Sequence, residues 1–137
     1  WIAAGGSLYA PSAWLLAFAV TCWVSGFDII YACQDLDFDR QEKIYSIPAQ
    51  FGLARALGIS SFLHILTVIS LSLIGLYSRL GIIYWSGLIA VASLLIYEHL
   101  LISPKDLSKL NAAFFNVNGI ISILAFVSIF TDRLTHW

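Results

Sequence analysis

Apolar residues run almost without a break through four stretches of the chain, roughly 11–33, 53–78, 81–102 and 112–131. Each is long enough to cross a ~30 Å hydrocarbon core as a helix. Inside a bilayer only helices and closed barrels satisfy every backbone group, and these continuous runs carry no period-two alternation. The pattern predicts an all-α, polytopic bundle of four spans. Pro48 and Pro104 punctuate it, one after a polar segment and one at the end of the third span. The links are short except for 34–52 and the segment "SPKDLSKLN".

Composition agrees with the pattern. Of the 137 residues, 60% are hydrophobic and 11% are charged, where a soluble domain carries about 25% charged residues. A surface this apolar expects lipid as its neighbour. A net charge of −1 gives no basic footprint, and no nucleic acid is expected as a partner. Cys22 and Cys33 lack metal or redox spacing and read as reduced thiols in apolar surroundings. The chain contains no Met and opens on "WIAAGGSLYAPSAW", so it reads as the C-terminal part of a longer membrane domain.

Charge gives the orientation. Arg40, Lys43, Arg55, Lys105 and Lys109 fall on one side of the four-span topology; Arg79 and Arg133 fall on the other. The excess of Lys and Arg on cytoplasmic loops places 34–52 and 103–111 in the cytoplasm. Trp1, Trp14, Trp85 and Trp137 lie near the opposite interface, as aromatic anchors would.

Polar positions then single out one segment. "YACQDLDFDRQEKIYSIPAQFG" places Asp35, Asp37, Asp39 and Glu42, half of the eight acidic residues, at the end of the first span. Asp35 and Asp39 are four apart, which on a helix puts both carboxylates on one face. Tyr31 and Asp28 extend the same stripe, while Asp37 points elsewhere. Asp28 lies inside the apolar run, where a carboxylate costs roughly 2.5–3.5 kcal/mol on insertion scales. It should face the bundle interior or a polar cavity.

Paired carboxylates without a nearby His or Cys suit a hard cation such as Mg²⁺, which is typically held by one or two carboxylates together with substrate phosphates. "DLDFDR" also begins like an EF-hand. Counted from Asp35, however, the sixth position is Arg40 rather than Gly and the twelfth is Ser46 rather than Glu. A solvated cap on a membrane helix is the plainer alternative.

The residues "DIIYACQDLDFDRQEKIYSIPAQFG" resemble the second aspartate-rich motif of the UbiA superfamily of intramembrane aromatic prenyltransferases, nearest its 4-hydroxybenzoate polyprenyltransferase branch. "WIAAGGSL" is similar to the segment before that motif, and "YEHLLISPKDLSKLNAAFFNVNGIISILAF" resembles the family's last two helices. The resemblance implies the C-terminal part of a nine-helix bundle around a central cavity. It also implies transfer of a polyprenyl group from a polyprenyl diphosphate to an aromatic acid, 4-hydroxybenzoate or a related naphthoate, in ubiquinone or menaquinone synthesis.

On the resemblance, Asp35 and Asp39 are the catalytic, Mg²⁺-binding pair. Arg40 and Lys43 contact the diphosphate. Asp28, Tyr31, Asn111 and Asn118 line the substrate cavity, and Ser46 and Pro48 form the motif's tail. The family's first aspartate-rich motif is absent from these residues, so the chain alone is expected to be inactive without the N-terminal helices. The expected location is the bacterial inner membrane.

Two positions depart from the family pattern. Lys43 stands where Gly is frequent and asks for a different loop path; Tyr45 stands where His or Lys is frequent. Asn111 and Asn118, seven apart, either line the cavity or hydrogen-bond between helices. Glu98 and His99 read as interfacial and His64 as a packed, hydrogen-bonded histidine. Phe114 and Phe115 either pack the bundle or line a prenyl pocket. A cation or proton transporter segment and a structural membrane subunit remain the rival classes.

Overall fold

The computed structural model describes residues 5–7, 9–110 and 116–135. It places α1 at Pro11–Ala32, a 3₁₀ turn at Cys33–Asp35, α2 at Leu36–Gln41 and α3 at Ile47–Phe51. Then follow α4 at Leu53–Tyr77, α5 at Ile82–Leu101 and α6 at Asn118–Thr135. Four of these helices are long and apolar enough to cross a membrane, the first of them running on through the turn to Gln41.

The first three spans match the apolar runs within about a residue. The fourth differs. Its expected beginning at 112 lies outside the described residues, the α-helix is regular from Asn118, and it continues to Thr135 rather than stopping at 131. The extra turn exists because Asp132, far from facing water, has a buried partner described below.

Helices in lipid gain little from hydrophobic attraction to one another and associate through close packing and hydrogen bonds. The α1–α4 pair follows that logic. A Cβ on Gly26 would collide with the His64 ring, so the small residue lets α4 approach. Ser60 Oγ donates to the Gly26 carbonyl at 2.8 Å and Thr67 Oγ1 to the Ala19 carbonyl at 3.3 Å. Gly87 serves α5 in the same way, because its missing side chain makes room for Ser128 of α6.

Three apolar clusters stack along the bundle. Ile29, Ile30, Cys33, Ala56, Leu57, Ile102 and Leu110 lie beneath the acidic segment. Phe27, Val91, Leu95, Val117 and Ile121 form the middle. Leu71, Ile74, Leu80, Tyr84 and Leu88 close the far end with Ala19. The outward faces carry large exposed apolar side chains such as Phe62, Ile69, Ile96 and Phe126, as a lipid-facing surface requires.

The far end is fastened by a carboxylate. Asp132, 1% exposed, accepts from the Gly81 and Tyr84 backbone N–H groups at 2.8 and 3.2 Å. These are orphan donors at the start of α5, and a negative charge there also complements the helix dipole. An α6 side chain thus caps α5, and Tyr84 Oη donates to the Leu71 carbonyl of α4 at 2.6 Å.

Candidate functional site

The acidic segment begins where α1 gives way to the 3₁₀ turn. The turn ends on Asp35, whose backbone (φ −95°, ψ 10°) leaves helical geometry before α2 starts. The single continuous stripe expected from Asp28 to Asp39 is therefore interrupted. A 3₁₀ turn advances three residues per turn rather than 3.6, so side chains beyond it are rotated relative to α1. Asp28, Tyr31 and Asp35 are exposed, Asp39 is 7% exposed, and Asp37, expected to point elsewhere, is exposed like Asp35.

α2 closes in a Schellman arrangement. The Ile44 N–H donates to the Asp39 carbonyl at 2.8 Å, and the Glu42 N–H to the Phe38 carbonyl at 2.9 Å. The residue between, Lys43, takes φ 56°. This is the left-handed position that glycine usually fills. The expectation that Lys43 would redirect the loop is thus corrected. The chain keeps the glycine-type path and accepts a strained lysine, because the Ile44-to-Asp39 backbone hydrogen bond closes the turn around it. Arg40 and Lys43 both remain exposed beside Asp39.

The tail of the segment is built by local rules. Ser46 is the N-cap of α3, its Oγ accepting from the Ala49 N–H at 3.3 Å, and Pro48 stands in the first turn where no donor is needed. Gly52, at φ 79°, then turns the chain into α4.

In the loop after α5, Ser103 and Asp106 exchange backbone hydrogen bonds at 3.0 Å. Asp106 Oδ1 accepts from the Ser108 N–H at 2.9 Å. Hydrogen bonds from Ser108 hold the Asp106 carboxyl below its ordinary range, with Lys109 adding to the effect. Asn118 opens α6 half-buried, and its carbonyl accepts from Ser122 Oγ at 3.0 Å. Asn111, Phe114 and Phe115 lie outside the described residues.

A second polar group sits within the bundle. His64 is buried, as expected, and its Nδ1 pairs with His99 Nε2 at 3.0 Å. His99 Nδ1 pairs with Ser61 Oγ at 3.2 Å. The interfacial reading fails for Glu98, which is 0% exposed and lies 3.7 Å from His64 Nδ1. Position near the end of a span suggested an interface; rotation about α5 turns Glu98 inward. Sequence reasoning missed Asp132 altogether. Its signal was a lone carboxylate in the last turn of an apolar helix, which must find a partner.

What can the acidic segment do? Two carboxylates leave Mg²⁺ most of its coordination positions for phosphate oxygens and water, and the neighbouring donors are oxygen only, so the set suits a hard cation. Among the described residues no cluster of three or more His, Cys, Asp or Glu side chains is arranged to hold a metal by itself. The exposed Arg40 and Lys43 can donate charge-assisted hydrogen bonds to an anion.

Comparison with known proteins adds a family. Residues 1–120 match the model described as the UbiA prenyltransferase family. The chain is similar to "4-hydroxybenzoate octaprenyltransferase" of Chromohalobacter salexigens, 36% identical over 76% of this chain and 35% of that protein. Proteins of the same name from Cronobacter sakazakii and Sodalis glossinidius are 31% and 32% identical, over 86% and 91% of this chain and 40% and 42% of theirs. The chain therefore spans well under half the length of these relatives. No solved structure matches it.

Proposed function

The chain belongs to the UbiA prenyltransferase family, and from that premise we propose that it carries one aspartate-rich half of the active site of an integral-membrane aromatic prenyltransferase. The observation that carries the proposal is the acidic segment. Asp35 is the N-cap of α2 and Asp39 lies within it, with Arg40 and Lys43 close by in sequence. We assign the donor as a polyprenyl diphosphate and the acceptor as an aromatic acid, 4-hydroxybenzoate or a related naphthoate, serving ubiquinone or menaquinone synthesis. Names of relatives such as the Chromohalobacter protein favour 4-hydroxybenzoate.

Asp35 and Asp39 would hold Mg²⁺, whose charge, when bound, offsets the negative charge gathering on the departing diphosphate. Arg40 and Lys43 donate to diphosphate oxygens and hold the leaving group in place. The allylic C–O bond breaks, a C–C bond forms to the activated ring carbon, and the ring proton leaves only after the cation has been consumed, passing to the departing diphosphate. Apolar helices keep water from the allylic cation. Asp28 and Tyr31, on the exposed face of α1, line the substrate cavity with Asn118 and Asn111. That face requires protein or a polar cavity rather than lipid, since a carboxyl group within a span needs polar surroundings. We assign the cover to upstream helices of the same protein, which carry the other aspartate-rich motif and without which this chain is inactive. The location follows as the bacterial inner membrane, with 34–52 and 103–111 cytoplasmic.

The test is turnover of the whole protein against Mg²⁺ concentration. Asp35→Asn and Asp39→Asn keep shape and remove charge. Each is expected to lower prenyl transfer at least tenfold, about 1.4 kcal/mol of barrier, at equal membrane insertion. Asp37→Asn is expected to do much less. Retained activity in both of the first two variants would reduce the segment to a solvated helix cap.

A further inference from the structure

The group formed by buried His64 and Glu98 with half-buried His99 has no part in that chemistry. It joins α4 to α5 directly under the apolar cluster that supports the acidic segment. His64 Nδ1 and His99 Nε2 face each other across 3.0 Å, with the rings tilted at 58°. A gap of that length holds one hydrogen: one nitrogen must donate and the other accept. Glu98 Oε2 lies 3.7 Å from the same His64 nitrogen, and neither Glu98 oxygen has a hydrogen-bond partner among the described residues.

The surroundings offer no other charge. α1 presents Trp23, Gly26 and Phe27, the last with its ring 4.9 Å from that of His64. α4 adds Ser60 and Ser61, both already bonded to backbone carbonyls. α5 adds Leu95, packed in one apolar cluster with Val117 and Ile121. The nearest acids on neighbouring elements lie elsewhere: Asp28 is exposed on α1, and Asp132 caps the far end of α5. Among the described residues, the titratable set there is His64, His99 and Glu98.

We propose that this cluster is an acid-sensitive latch between α4 and α5. In the latched state one proton lies between the facing nitrogens, and the three groups sum to zero charge, either all neutral or as a carboxylate beside a singly charged imidazole pair. Each further proton leaves a positive charge uncompensated in apolar surroundings, where burial is costly. Full protonation of both rings puts N–H against N–H. The latch therefore contributes its stability at higher pH and loses it as pH falls below about 6.5, the ordinary histidine value, where an opened pair takes up protons that the closed one resists. Protons have a route in through His99, half-buried in the last turn of α5 next to the 103–111 loop; with His64 and Ser61 it lines an otherwise apolar groove of about 410 Å³ between α4 and α5. Opening would loosen the end of α5 and Ile102, which packs against Ile29, Ile30 and Cys33 beneath the acidic segment.

The experiment uses the whole protein in lipid nanodiscs, with Cys22→Ala and Cys33→Ala. Nitroxides are placed at Ile65→Cys on α4 and Ile96→Cys on α5, both exposed across the groove. Pulsed dipolar spectroscopy reads the distance at pH 7.5 and pH 5. The expected result is a reversible lengthening or broadening at pH 5. The double variant His64→Gln/His99→Gln, which cannot take up protons there, is expected to show none. Should that variant fail to insert, His99→Gln alone is expected to halve the response or better. An unchanged wild-type distance overturns the proposal. So does a full response in whichever glutamine variant is measured.

Discussion

Replacing Lys43 by glycine separates two effects that the structure couples at one residue. Lys43 closes α2 at φ 56°, a backbone region that costs an L-residue roughly 1–2 kcal/mol. Glycine removes that cost but gives back some of the gain through its larger entropy loss on folding, roughly 0.5–1 kcal/mol. The net expectation is a gain of about 0.5–1 kcal/mol, because the Ile44-to-Asp39 and Glu42-to-Phe38 backbone hydrogen bonds survive the change.

The ammonium has a separate role if it holds the diphosphate. A hydrogen bond to a charged group is worth about 1.5–3 kcal/mol, and exposure of Lys43 argues for the lower end, roughly tenfold in affinity. Lys43→Gly should therefore raise unfolding resistance of the whole protein in detergent while raising KM for the polyprenyl diphosphate roughly tenfold. KM for the aromatic acid should stay within about twofold, since the change touches one substrate. Lys43→Arg keeps charge and strain and should change neither reading much. A glycine variant less stable than the parent would refute the strain argument. One with an unchanged KM for the diphosphate would remove Lys43 from the site.

Asp132→Ala leaves the Gly81 and Tyr84 N–H groups without their buried acceptor and should cost about 1–3 kcal/mol, read as earlier thermal unfolding; an unchanged midpoint would show that water replaces the cap. Glu42→Cys, on the exposed end of α2, should react with an impermeant thiol reagent in inverted vesicles and not in intact cells; the reverse pattern would invert the proposed orientation.

Much of this architecture is written in local sequence. A membrane helix must satisfy its own backbone, so the length of each apolar run sets the span. Pro11 and Pro48 stand where a helix begins and has donors to spare. For that reason the first three spans were legible to about a residue. The acidic segment was equally visible, because a charge cluster at the end of an apolar run needs no fold to be noticed.

Other features arise only when distant elements meet. Asp132 lies about fifty residues from the N–H groups it caps, and Glu98 lies thirty-four residues from His64. No local pattern reports which face of α5 turns inward or which helix end an acid will reach. Lys43 is the sharper case: a lysine has no preference for φ 56°, yet the closure of α2 imposes it. The 3₁₀ turn at Cys33–Asp35 likewise breaks a stripe that ideal helical spacing draws straight from Asp28 to Asp39. Sequence determined where this chain crosses the membrane and where its carboxylates gather. Packing decided which of them are buried, because burial depends on the partner helix and not on the residue.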